Sequence, residues 1–319
     1  MFLRYTMQQA PGKSHREGIT LTELIQIFPD DKTAEKWFEG NIWGDKPCCP
    51  YCGNTNITKT HNQSQPYYCA GLGKCHKRFS VKVGTVMEHS HITYQQWAIA
   101  TYQFMTNVKG ISSMKLHRDL GITQKSAWFM VQRLRESWHT LADTDKMEGP
   151  VEIDEAYFGG KESNKHADKK QPHSQGGANK TAVVGIKDRK TGTIRAEPVP
   201  ETTAARLGEF IEQNTETGAT HYTDENKAYQ NLPNHVTVNH SVSEYVNGMA
   251  HTNGIESFWA LLKRGYYGTF HHISTKHLHR YVNEFAGRLN IRNLDTIDMM
   301  VSLARGMIGK RLTYVALTA

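Results

Sequence analysis

The chain has 319 residues, enough for one large domain with one or two smaller modules. With 38 Lys and Arg against 31 Asp and Glu, its formal charge is +7, a surplus that favours polyanionic partners. A mean hydropathy of −0.60, with no apolar run approaching about 18 residues, excludes a helical membrane span, and the composition excludes collagen-like, disordered and disulfide-rich secreted classes.

The first residues, MFLRYTMQQAPGKSHREG, carry no continuous apolar stretch of the kind a secretory leader needs, so a reducing cytoplasm is the expected compartment. Residues 1–45 read as an N-terminal helical segment, with short helices over Thr20 to Trp43 broken at Pro29. Five cysteines follow between Cys48 and Cys75. Cys49-Pro50-Tyr51-Cys52-Gly53 is a knuckle, and Cys69 with Cys75 returns 16 residues later. Two thiolate pairs across a short hairpin close a four-cysteine Zn2+ site with no open position, so residues 46–82 are expected to be a zinc ribbon whose metal is structural. Cys48 is the spare thiol, and His76 is an alternative ligand beside the second pair.

Residues 91–142 come next. Ile92 to Asn107 has helical spacing at Trp97, Tyr102, Phe104 and Met105. Ser112 can cap a helix ending near Leu120, Gly121 supplies a turn, and Thr123 can cap a second helix with Ala127, Val131 and Leu134 on one face. The second helix carries Lys125, Arg133 and Arg135, and two short helices joined by a glycine turn describe a helix-turn-helix. From Lys59 to Arg135 eleven Lys and Arg stand against Glu88 and Asp119, so this front part is the expected DNA footprint, with Lys77, Arg78, Lys125, Arg133 and Arg135 facing phosphates. An ordinary helical hairpin with a solvated basic face is the alternative.

From Pro150 the pattern becomes mixed α/β. VEIDEAYF reads as a strand, and TAVVGIKDRKTGTIRAEPV as a hairpin turning at Lys190, Thr191 and Gly192. The polar, lysine-rich stretch from Gly159 to Lys180 between them reads as a loop. A helix over about Ala204 to Asn214, strands at THYTD and HVTVNH, and helices from about Gly254 to Lys263 and Thr275 to Leu289 complete a mixed sheet with packed helices. Asp154 lies within the first strand, Asp224 ends a later one and Glu256 sits on a helix. Three converging carboxylates without histidine suit Mg2+ or Mn2+, and two such ions clamp the attacking and leaving oxygens of a phosphodiester. Lys263 lies two turns after Glu256 on the same helix face. Singly, each acid also has a structural reading: a helix cap for Asp224, a solvated position for Glu256, an ion pair for Asp154. Glu152, Glu155 and Glu225 are close neighbours of the two aspartates.

CPYCG, KRFSVKVGTVMEHSHI, KGISSMKLHRDLGITQKSAWFMVQRLR, VEIDEAYFGGKE, YTDENKAY and HTNGIESFWALLKRGYYGTFHHIS, in that order, resemble bacterial insertion-sequence transposases with an N-terminal zinc ribbon and a DDE core, the group related to Merlin transposons. The resemblance runs from about Thr20 to Asn293. It implies an α+β multidomain chain, a zinc ribbon and helix-turn-helix followed by an RNase H-like mixed α/β catalytic domain at 150–295, with residues 296–319 a C-terminal tail. It implies Asp154, Asp224 and Glu256 at the DDE positions as ligands of two Mg2+ ions, and Lys263 beside them. Members of the group can carry asparagine at the third position, which Asn253 could supply. The five-residue gap from Cys69 to Cys75 departs from the commonest ribbon pattern.

The implied activity is cleavage at the terminal inverted repeats of a mobile element, then attack of the freed 3'-hydroxyl on target DNA, in the bacterial nucleoid. Arg264, Lys276 and Arg280, in a run with His271, His272, His277 and His279, would hold flanking or target strands. Two element ends imply at least a homodimer on DNA. The rival readings are a catalytically silent DNA-binding regulator and an RNase H-like nuclease.

Overall fold

The computed structural model describes residues 17–71, 75–140, 145–160, 180–230, 232–237 and 252–319. Most of the expected lysine-rich loop, and the last three residues of the expected HVTVNH strand, lie outside these. The chain divides into two units, residues 142–290 and residues 1–141 with 291–319.

In the unit that begins the chain, α1 (Leu21–Ile27) starts from a capping box in which Thr20 and Glu23 satisfy each other's backbone N–H groups. Pro29 interrupts the helical run, and Asp30 caps α2 (Asp31–Trp43) by accepting from Thr33 N. Three short antiparallel strands follow in spatial order, β1 (Ile57–Lys59), β2 (Tyr67–Cys69) and β3 (Arg78–Phe79). This sheet buries a small cluster of Cys49, Tyr67, Cys69 and Phe79, and packs Tyr67 and Phe79 edge-on against Trp43, with ring centroids 5.1 and 5.7 Å away. Helix α3 (Tyr94–Thr106) opens on a second capping box, Thr93 with Gln96. Helices α4 (Ser113–Leu120) and α5 (Gln124–Glu136) are capped by Ser112 and Thr123 and joined through Gly121. At φ 64° and ψ 24°, Gly121 is in the left-handed conformation that ends a helix with no Cβ penalty.

The second unit is built on five strands in the order β6-β5-β4-β7-β8. Strands β4 (Val151–Phe158), β5 (Thr181–Asp188) and β6 (Ile194–Val199) form an antiparallel meander. The β5–β6 turn is closed by Asp188, whose Oδ1 accepts from the N–H groups of Lys190 and Thr191 at 2.7 and 2.9 Å. Helix α6 (Ala204–Asn214) leads to β7 (His221–Thr223), which lies parallel to β4, and β8 (His235–Thr237) lies parallel to β7. Helices α7 (Asn253–Gly265) and α8 (Thr275–Asn290) complete the unit. Strand alternation sorts the side chains into two layers. Val151, Ile153, Val184 and Ile186 pack with Leu207, Phe210 and Ile211 of α6. Ala156, Phe158 and Val183 pack on the other face with Ile255, Phe258, Trp259, Val282 and Phe285 of α7 and α8.

Residues 296–319, expected as a tail, form α9 (Thr296–Gly306) and α10 (Tyr314–Thr318) and belong to the first unit. Met299, Met300, Leu303 and Met307 share one core with Leu24, Phe38, Trp97, Phe104, Leu116 and Leu134. The expected boundary between an N-terminal helical segment and a helix-turn-helix dissolves for the same reason, since both draw on that core. No helix among the described residues is long and apolar enough to cross a membrane.

Candidate metal and catalytic centres

In the second unit, β4 pairs with β7 through Val151 with His221 and Glu152 with Tyr222. Continuing that parallel register by two residues sets Asp224 opposite Asp154 just where β7 ends. Asp154, Glu155 and Asp224 each offer a carboxylate oxygen within 4.8 Å of the others. Asp154 Oδ2 accepts from Trp259 Nε1 at 3.1 Å, on the α7 side of the sheet. Asp224 Oδ1 accepts from the N–H of Asn226 at 3.0 Å, an Asx turn that orients the carboxylate as the chain leaves the strand. Glu155 Oε1 is buried without a hydrogen-bond partner among the described residues.

The electrostatics follow from that crowding. Burial pushes Asp154 up to about 6, helped by the charges of Asp224 and Glu256. Burial likewise raises Glu155 to about 7, with the charges of Asp224 and Asp154 adding to it. Buried like charges this close are costly unless a cation or proton sits among them, and all-oxygen donors with an unpartnered buried oxygen fit a hard divalent cation.

Glu256 stands on the first turn of α7 outside that tight group, exposed, its Oε1 accepting from Thr252 Oγ1 at 2.9 Å. Its charge nevertheless acts on Asp154. Asn253, one turn earlier, is also exposed. Of the three expected acids the structure brings Asp154 and Asp224 together, while Glu155, noted only as a neighbour, joins them more closely than Glu256 does. The sequence marks Glu155 only as the residue after Asp154; its approach to Asp224 depends on β7 pairing beside β4 and ending at Thr223.

Lys263, Arg264 and Lys276 are exposed, and Arg280 is partly buried with its Nη1 3.2 Å from His277 Nδ1. In the first unit Lys77, Arg78 and Lys125 are exposed, Lys77 lying 4.4 Å over the Tyr51 ring and Lys125 4.3 Å over that of Tyr314. Arg133 and Arg135, expected to face DNA, are instead 7% and 1% exposed. Arg133 Nε donates to the Leu312 carbonyl and its guanidinium stacks 4.0 Å over Phe129. The returning C-terminal segment therefore takes the face on which Arg133 would have met phosphates.

The sulfurs of Cys49, Cys52, Cys69 and Cys75 lie within 4.8 Å of one another. Cys49 and Cys75 are 3.7 Å apart and Cys52 and Cys69 3.6 Å, far beyond a disulfide bond of about 2.05 Å. A tetrahedral zinc site with bonds of about 2.3 Å has edges near 3.8 Å, so the thiols fit that ion. The knuckle turn is made by Gly53 at φ 74°, whose N–H donates to the Cys49 carbonyl at 2.9 Å. The Asn54 N–H holds Cys52 down to about 7, as a ligand that must be a thiolate requires, while burial raises Cys69 and Cys75. His76 is not among the four, its Nδ1 lying 3.1 Å from Tyr68 Oη. Cys48 donates to the Gly53 carbonyl at 3.3 Å.

Residues 146–290 match the family of ISXO2-like transposase domains, a span that covers the five-stranded unit and its acids. A protein of Halobacterium salinarum, described as an uncharacterized protein in transposable element ISH50, is 28% identical over 257 residues, covering 75% of this chain and 84% of that one. Both matches show a similarity to proteins of insertion sequences, and the first, confined to the acid-bearing unit, is to their transposase domains.

Proposed function

We propose that the chain binds the terminal inverted repeats of an insertion sequence and catalyses divalent-metal-dependent cleavage and strand transfer of DNA. The observation that carries this reading is the placement of Asp154 and Asp224 side by side at the end of β7, within the transposase-matched span. On this reading the unit is an RNase H-like catalytic domain. Asp154, Asp224 and Glu256 would hold two Mg2+ or Mn2+ ions, with Glu155 a further oxygen donor. Such ions polarise the scissile phosphate and ease ionisation of the attacking and leaving oxygens.

The protein's own groups supply position. The Trp259 N–H and the Asn226 N–H aim the two aspartates. Exposed Lys263 and Arg264, on the last turn of the helix that bears Glu256, would grip phosphates without reading sequence, and Lys276 and Arg280 would extend that grip. Cleavage and joining would both be in-line displacements, first by water and then by the freed 3'-hydroxyl, with no protein-linked intermediate. In the first unit a Zn2+ on the four thiols would set the ribbon, and Lys77, Arg78 and Lys125 of the ribbon and helix-turn-helix would meet the element ends, while Arg133 and Arg135 are too buried to do so. Two ends call for a homodimer or larger assembly on DNA in the nucleoid.

The test is an in vitro reaction of the purified chain with Mg2+ and a donor DNA carrying the element ends. Joined products that disappear in Asp154→Asn and Asp224→Asn support the proposal. End binding without cleavage by the intact chain would leave only a regulator, and cleavage without joining only a nuclease.

A further inference from the structure

The helix that bears Glu256 is held at its start by a side chain with no part in the chemistry above. Glu152 lies two residues before Asp154, on the same face of β4, and is 2% exposed. Its Oε1 accepts from Arg189 Nε at 2.8 Å, and its Oε2 accepts from the backbone N–H of Ile255 at 2.9 Å. Ile255 is the third residue of α7, whose N-cap residue, Thr252, makes no side-chain cap bond. A carboxylate from the sheet thus serves the positive end of a 13-residue helix that its own cap does not.

Two neighbours tighten the fit. A Cβ on Gly254 would lie 2.6 Å from Glu152 Oε2 and 2.5 Å from Lys187 Nζ, so the helix start reaches the carboxylate only because residue 254 has no side chain. The Arg189 guanidinium lies 3.9 Å over the ring of Tyr222, which pairs with Glu152 across β4 and β7 and stands two residues before Asp224. One buried ion pair therefore touches β4, β7 and α7, the elements that carry Asp154, Asp224 and Glu256.

We infer that Glu152, backed by Arg189, is a positioning residue that sets Glu256 of α7 against Asp154 and Asp224. The inference rests on the transposase reading and deepens it. As a device for stability alone a buried carboxylate and guanidinium are a poor choice, since well-packed apolar side chains of that volume do as well or better. What apolar side chains cannot do is fix a helix start by a charged acceptor on a backbone N–H, and displacements near 1 Å at a reacting centre can cost about a hundredfold in rate.

The experiment compares the full chain with Glu152→Gln, Gly254→Ala and Asp154→Asn. Each is followed by thermal melting, by Mn2+ titration in a calorimeter without DNA, and by steady-state cleavage of end-bearing DNA. Glu152→Gln keeps size and an acceptor but removes the charge, and Gly254→Ala presses on the same carboxylate, displacing the contact while both charges of the ion pair remain. Both are expected to melt cooperatively and keep KM for DNA, while Mn2+ affinity and kcat fall about 10- to 100-fold. If both bind Mn2+ and turn over like the parent, or if kcat falls only with the folded fraction, the inference is overturned. Should Glu152→Gln fail to fold, Gly254→Ala decides alone. Asp154→Asn separates the levels: if it keeps Mn2+ binding and cleavage, the transposase site itself is misassigned, whereas its loss of both beside a normal Glu152→Gln overturns only the positioning role.

Discussion

Cys48 and Cys49 are adjacent thiols whose surroundings differ. Cys49 is buried with three other sulfurs around it, whereas Cys48 faces the Gly53 carbonyl. Cys48→Ser should leave one zinc per chain by metal analysis, while Cys69→Ser should release it and unfold the ribbon. Structural zinc in small fingers contributes on the order of 10 kcal/mol, so partial retention of structure after loss of a ligand is not expected. Equal zinc content in the two variants would sink the four-thiol assignment. Glu155→Gln is a second test at this scale. Its unpartnered buried oxygen lies in the tight acidic group, so divalent-ion affinity by calorimetry should drop about tenfold or more. An unchanged affinity would return Glu155 to the role of a neighbour. That the four thiols come together, and the two aspartates likewise, was legible because the cues are local: a knuckle spacing, and acids at strand positions where charge is costly. Glu155 was harder to separate from Glu152, since only the fold reveals that one points to Asp224 and the other to the start of α7.

Across the central sheet, Asp154 pairs with Gly185 of β5, and a Cβ on that glycine would lie 2.7 Å from the Trp259 ring. The missing side chain is a notch that lets the indole of α7 approach the sheet closely and bring its N–H to Asp154. Gly185→Ala should therefore cost about 1 to 3 kcal/mol in urea unfolding, by overpacking, and lower cleavage beyond what the lost stability explains. Trp259→Phe removes the donor to Asp154 and leaves a cavity in a buried site, so divalent-ion affinity should fall beyond what its loss in unfolding stability explains. An unchanged affinity would remove the indole N–H from the metal site. The elements themselves were readable to within a few residues: α7 was expected from Gly254 and runs from Asn253, and the β5–β6 hairpin turns where Lys190, Thr191 and Gly192 stand. Capping residues act over three or four positions, which is why Ser112 and Thr123 mark helix starts without tertiary information. The Gly185 notch is different, because a glycine inside a strand pattern tells only that something approaches closely.

The chain's last segment escaped the sequence reading for a reason of the same kind. Nothing in the local pattern of residues 296–319 says that they belong with residues almost three hundred positions earlier, yet the Thr296 N–H donates to the Glu17 carbonyl and the Asp295 side chain accepts from the Glu17 N–H. That return also explains Arg133: a helix face that looks free when α5 is read alone is covered by Leu312. Met299, Met300, Leu303, Ala304 and Met307 are all at most 1% exposed within the core of the first unit. Truncating one such side chain costs about 2 to 5 kcal/mol, comparable to much of a domain's net stability of about 5 to 15 kcal/mol. Ending the chain at Asn290 removes all five and uncovers the faces of α2 and α3 on which they pack. The expected result is loss of cooperative unfolding in the first unit and release of its four-cysteine sheet to proteolysis, while a fragment of about residues 145–290, which has its own two-layered core, stays resistant. Met300→Ala should give the graded version, an earlier unfolding transition in urea for the first unit with the second unchanged. If the truncated chain keeps a protease-resistant first unit and its affinity for element ends, residues 291–319 are dispensable to that core and the burial of α9 contributes little to it.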